Sequence, residues 1–279
     1  MLPLHSASEI RFTSHYSINS ADIKQSHQEL CDGVGHSRGR FSENKEELTQ
    51  AVYQKYAIRQ FIMAGENTGY NSYLFKARNK KSTEGVALNF VDLKDQKVSS
   101  EHKKQLVEKE KALSSRLGVH FAVQTIEEIK LPETGALILV QELADGDLFR
   151  LDIQVDDLGL GNLLTQVLTL YSELDRIHFI HCRNLHDLLY FRKQGAIKLS
   201  AFEHSIEAEN GELNSLDQVK LLIKKVCFTS QADSEFKPWV ESDMRKILTD
   251  LLNDKFTSAE EALKQLPPRV YEGFKLTLN

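Results

Sequence analysis

The sequence predicts a two-lobed α+β fold, a small strand-rich lobe followed by a helical one. Two observations carry this. Between Ala57 and Leu143 five strand-like runs occur with one helical stretch inserted among them. After Gly146 the apolar period lengthens to that of amphipathic helices, so the boundary between the lobes falls near Glu142–Gly146.

Residues 1–44 are polar, rich in Ser, His and Asn, and are expected to form a flexible arm. Within them Gly33 and Gly35 make a Gly-x-Gly with no apolar strand before it, a weak phosphate-loop signal. "ENKEELTQAVYQKY" then reads as a short helix with Leu48, Val52 and Tyr53 on one side. "AIRQFIMAG" and "SYLFKARN" flank "ENTGYN", a hairpin with a glycine turn. "GVALNFVDL" is apolar enough to be a buried third strand. The inserted helix is "SSEHKKQLVEKEKALSSRL", with Ser100 as the expected N-cap. "HFAVQTIEEIKL" and "GALILVQEL" complete the strands.

In the second half "GNLLTQVLTLYSELDRIH" carries Leu163, Leu164, Val167, Leu168, Tyr171 and Leu174, the wide stripe of a central helix. "DLLYF" and "AIKLS" form a small strand pair turning at "KQG". "SLDQVKLLIKKVC", "ESDMRKILTDLLND" and "SAEEALKQL" are further helices. Residues 45–270 are thus one domain, with lobes at about 55–144 and 145–270, and residues 271–279 are a tail.

A net charge of −5 gives no electrostatic case for nucleic acid or an anionic membrane. No apolar run nears the roughly 20 residues needed for a membrane span. Three scattered cysteines fit a reducing, cytoplasmic compartment rather than a disulfide scaffold. A non-cleaved export signal in the Ser-rich start would instead fit a bacterial effector acting in a host cytosol.

Six strings, taken in order, resemble the protein kinase fold over residues 55–270. "AGENTGYNSYLFKARN" is similar to the glycine-rich loop with its second strand, and "VALN" to the strand ending in the ATP-binding lysine. "LILVQELADGDLF" is similar to the hinge, "IHCRNLHDLL" to the catalytic loop, and "IKLSAFEHS" to the metal-binding turn. "LLNDKFTSAEEAL" is similar to the close of the helical lobe.

By this resemblance the phosphate lysine is Asn89, the catalytic base Arg183, the metal asparagine Leu188, and the metal aspartate and its glycine Ala201 and Glu203. Of three loop glycines only Gly69 remains, with Asn67 and Ser72 at the others. Asn89 brings no charge to a phosphate, Leu188 and Ala201 no oxygen to a hard cation, and Arg183 accepts no proton. A gapped register would place Asn184 or Asp187 at catalytic positions. The ungapped one is preferred because it keeps both His181 and Phe202 in place.

The resemblance also implies a vestigial adenine pocket of Gly69, Leu74, Ala87, Gln141, Glu142, Ala144 and Tyr190. Tyr190 there either fills the pocket or points into the helical core. Glu108 and Glu110 are both candidates for the glutamate of the inserted helix, and Arg183 is expected to pair with that glutamate or with Glu203. Asp217 matches the acid that caps the catalytic loop. His178, His181, Cys182 and His186 match no common zinc spacing. The segment from Glu203 to Leu216 is short, so the peptide-substrate platform is reduced as well.

The expected function is that of a catalytically inactive pseudokinase, with no cofactor and no metal. It would work as an interaction module, scaffold or allosteric regulator bound to a protein partner such as an active kinase or a multiprotein assembly. The alternatives are an enzyme using the fold for atypical nucleotide-dependent transfer, and a metal-independent nucleotide sensor.

Overall fold

Strands β1 (Tyr56–Gly65), β2 (Ser72–Asn79), β3 (Gly85–Asp92), β4 (Thr125–Leu131) and β5 (Ala136–Glu142) form one antiparallel sheet in the order β1-β2-β3-β5-β4. The computed structural model describes residues 20–65, 72–94, 99–150, 157–181, 185–202, 205–207, 216–228 and 235–267. Strands β3 and β5 lie inside the sheet and are apolar on both faces, as the run "GVALNFVDL" predicts. Alternation sends Leu88, Phe90, Ile138 and Val140 into one core and Val91, Leu137 and Leu139 into another.

The larger core corrects the expected arm. Residues 20–44 are not a flexible extension. They form α1 (Ser20–Gly33) and α2 (Arg38–Glu43), and Leu30, Val34 and Phe41 are fully buried against the sheet. Polarity misled because α1 needs only a narrow apolar stripe, and its polar groups also have structural work. Ser26 and Glu29 accept hydrogen bonds from the backbone N–H groups of Ile58 (3.1 Å) and Phe61 (2.8 Å) on β1. The helix thereby covers a sheet edge that would otherwise be open to pairing with another chain.

Gly33 and Gly35 serve the same joint. A Cβ at Gly33 would lie 2.6 Å from the Phe75 ring, and Gly35 has φ +48. Farther on, α3 (Lys45–Leu48) and a wide helical turn at Thr49–Tyr53 bury Leu48, Val52 and Tyr53, the side predicted. Residues 1–19 and 268–279, which include the rest of the arm and the expected tail, lie outside the described residues.

Helix α4 (Ser100–Leu117) crosses the other face of the sheet. Its N-cap is Ser99, one residue earlier than expected, whose hydroxyl accepts from the His102 N–H at 3.2 Å. Lys103, Val107, Glu110, Ser114 and Leu117 are buried at spacings of three and four.

The helical half is built around α5 (Asp157–Arg176), whose predicted stripe from Leu163 to Leu174 is buried. Around it pack α6 (Leu216–Cys227), α7 (Ser242–Leu252) and α8 (Ala259–Gln265). Short strands sit between this bundle and the sheet. β6 (Gly146–Asp147), β8 (Leu188–Phe191) and β9 (Ala196–Leu199) pair as β6-β8-β9, and β7 (Phe179–Ile180) pairs with β10 (Ile206–Glu207). The fold is mixed α+β. No helix among the described residues is long and apolar enough to cross a membrane.

Candidate functional site

A cleft of about 230 Å³ opens where the sheet meets the short strands. Alternation along β3 and β5 brings Ala87, Asn89 and Gln141 to it, because these residues share the α4 face of the sheet. Leu74 and Ser72 reach it from β2, and Glu142 and Ala144 from the segment joining the two halves. Five residues expected in a vestigial pocket, Leu74, Ala87, Gln141, Glu142 and Ala144, therefore line one cavity. Gly69 lies outside the described residues.

The opposite wall takes the core alternative for Tyr190 and keeps Leu188 out of the cleft. Leu188 and Tyr190 are fully buried in the helical core, whereas Asp187 and Leu189 line the cleft. Strand β8 pairs Leu189 with Asp147 and Tyr190 with Gly146, and side chains alternate along it. A slip of one residue thus exchanges core for cleft. Asp187, which a gapped register would place at a catalytic position, stands on the cleft wall. Tyr190 does not fill the pocket, and Leu188 is a core residue.

Asp187 is 8% exposed, and its backbone carbonyl accepts from the Ser200 N–H at 3.0 Å. Burial, and after it the Asp187 carboxylate, pushes the Tyr171 hydroxyl above its ordinary value. Next to Ser200, Ala201 has φ +60, a left-handed conformation that an alanine adopts at some cost.

Exposure separates Glu110 from Glu108. Glu110 is 6% exposed, lines the cleft, and accepts a hydrogen bond from Gln141 Nε2 at 3.2 Å. Glu108 is exposed and pairs with Lys111 at 2.8 Å. His181 and Phe202 meet edge to face with ring centroids 5.7 Å apart, and His181 Nε2 donates to the Ser200 carbonyl at 2.9 Å. His186 turns elsewhere, to Asp147 at 3.2 Å and to the Phe149 ring, so His181 and His186 do not share a centre. Asp217 is half-exposed in the first turn of α6 and pairs with Lys220 at 3.0 Å.

Sequence reasoning missed a buried ion pair at the cleft mouth. Lys198 Nζ, 4% exposed, lies 2.8 Å from both Glu142 oxygens and 4.9 Å from the centre of the Phe191 ring. The signal was available in "AIKLS", where a lysine interrupts an otherwise apolar strand. Arg183 and Glu203, with the ion pair expected of Arg183, lie outside the described residues.

The side chains that line the cleft differ in charge from wall to wall. Asn89 brings a neutral amide to it and Ala201 a methyl group, and Glu110, Glu142, Asp147 and Asp187 are acids among its described lining residues. Among the described residues no three His, Cys, Asp or Glu side chains converge to hold a metal ion. No protein-family model matches the chain, and no curated protein matches it in sequence.

Proposed function

We propose that the chain is a two-lobed, protein-kinase-like domain that has lost phosphoryl transfer and acts as a non-catalytic interaction module for a protein partner. One observation carries the reading. Asn89, Glu110, Asp187 and Ala201 converge on a single cleft, while the His181–Phe202 contact beneath it is kept. Phosphoryl transfer needs concentrated negative charge to be held and neutralised, and a neutral amide and a methyl group do neither. The sheet order and the helix crossing one of its faces support the resemblance stated from sequence.

The test is titration of the full chain with ATP, with and without magnesium, read by thermal shift and by incorporation of labelled phosphate. Neither response is expected. A second reading, atypical nucleotide-dependent transfer, draws on Asp187, an acid on the cleft wall. A magnesium-dependent stabilisation by ATP that disappears in Asp187→Ala would establish it in place of the first.

A further inference from the structure

We infer that the open face of β1 and β2 is a docking surface for an extended, acidic segment of a partner protein, with an apolar side chain next to its acids. The inference rests on the interaction-module reading above and names the chemistry of the partner.

Strand β1 turns two side chains outward for each one it turns inward. Its register against β2 shifts between Ile58 and Gln60 and again between Phe61 and Met63. Ile58, Phe61 and Ala64 therefore meet the main sheet core, while Arg59, Gln60, Ile62 and Met63 are all exposed. The same shifts aim the Ile58 and Phe61 N–H groups at Ser26 and Glu29 on α1. That role fixes the backbone but not the kind of side chain turned outward, which is cationic at Arg59 and apolar at Ile62 and Met63.

Strand β2 continues the pattern. Leu74, Lys76 and Arg78 share the face of Asn89, Ala87 and Gly85, their neighbours on β3. The small Ala87 and Gly85 leave the two cations standing clear of the sheet, and both are exposed. Neither Lys76 nor Arg78 forms an ion pair among the described residues, whereas Arg59 lies 3.8 Å from Asp22. Leu74, with Met63 opposite it, ends the row at the cleft mouth.

Spacing and charge identify the occupant. Alternate residues of a strand stand about 7 Å apart on one face. An extended chain lying along β2 repeats at the same interval. Two acids at alternate positions then meet Arg78 and Lys76, and an apolar residue at the next alternate position meets Leu74 and Met63. An arginine takes a carboxylate through two parallel hydrogen bonds, and Arg and Met are residues that protein interfaces favour. Polyanions fit this face less well. The chain as a whole carries −5, and clusters that hold anionic membranes have about 4–8 cations, against Arg59, Lys76 and Arg78 here.

The experiment is ligand-detected NMR on the full chain with the peptide Ser-Leu-Ser-Glu-Ser-Glu-Ser-Leu-Ser, which reads the same in both directions. Its controls replace Glu by Lys, or Leu by Ser. The acidic, leucine-bearing peptide is expected to bind at least about fivefold more tightly than either control. Lys76→Glu/Arg78→Glu should turn the preference toward the lysine peptide, and Met63→Ser should weaken the leucine-bearing peptide alone. No binding at millimolar peptide, equal binding of either control, or a preference unchanged in Lys76→Glu/Arg78→Glu overturns the inference. If that variant does not fold, Lys76→Gln/Arg78→Gln decides, and it should abolish the charge preference. A single-stranded oligonucleotide or phosphatidylserine vesicles that bind this face more tightly than the peptide would overturn the choice of a protein partner. Self-association on size-exclusion chromatography that disappears in Lys76→Glu/Arg78→Glu would give the face to a second copy instead. ATP in the same assay separates the two readings: magnesium-dependent phosphate transfer would overturn the non-catalytic function, whereas silence from both ATP and the peptides would overturn the docking surface alone.

Discussion

Glu29 on α1 accepts a hydrogen bond from the backbone N–H of Phe61 on β1 at 2.8 Å, joining a polar stretch of sequence to the edge of the sheet. Hydrogen bonds to charged groups are stronger than neutral ones, and Phe61 is only partly buried, so water replaces part of what is lost. Glu29→Ala is expected to destabilise the fold by about 1–2 kcal/mol in denaturant unfolding. Glu29→Gln, which keeps an acceptor, should cost less than half of that. A chain beginning at residue 45 loses α1 and α2, exposes β1 and part of the main sheet core, and is expected to aggregate on size-exclusion chromatography.

The same segment predicts a pH effect. Burial pushes the Asp92 carboxyl up, but hydrogen bonds from Arg40, Ser37 and the Lys94 N–H, with the Arg40 charge, outweigh it and hold the group below its ordinary 3.8. A depressed carboxyl contributes stability above the unfolded-state value, and that contribution is lost as pH falls through the lower folded value. Unfolding free energy should therefore drop below about pH 4. Arg40→Met should cost about 2–3 kcal/mol at pH 7, because it leaves a buried carboxylate without its cation. It should also flatten the acid dependence, measured by urea unfolding at pH 7 and pH 3.

Lys198 and Glu142 form a pair with one partner buried and the other 23% exposed. Lys198→Met is expected to cost about 2–3 kcal/mol, below the loss for a fully buried pair because water reaches Glu142. The double variant Lys198→Met/Glu142→Gln should recover part of this, a coupling that a double-mutant cycle reads directly.

Ala201 lines the cleft, whereas Leu188 lies in the helical core. Ala201→Gly should stabilise by about 0.5 kcal/mol, since glycine meets φ +60 without strain but loses more freedom on folding. Ala201→Asp, in a conformation aspartate tolerates, combined with Asn89→Lys, is expected to gain a magnesium-dependent thermal shift with ATP that the wild type lacks. Replacing Ala201→Asp by Leu188→Asn in that pair should lose about 3 kcal/mol or more and gain no such shift, because Leu188 lies in the helical core.

Much of this molecule is visible in one dimension. The alternation in "GVALNFVDL" and "GALILVQEL" determined which residues of β3 and β5 face the cleft, and the stripe from Leu163 to Leu174 determined the central helix. These are local periods, set by backbone geometry, and they survive into the fold because burial rewards them. Tertiary structure alone decided three other matters. Burial on one face of α4 selected Glu110 over Glu108, a choice between neighbours on a helix whose orientation depends on what it crosses. Pairing of β8 with β6 and β9 sent Asp187 and Leu189 to the cleft and Leu188 and Tyr190 to the core, because register is a property of two strands and not of one. The helices of residues 20–44 were hidden for the same reason: Ser26 and Glu29 look like surface residues until the strand whose amides they satisfy is in place.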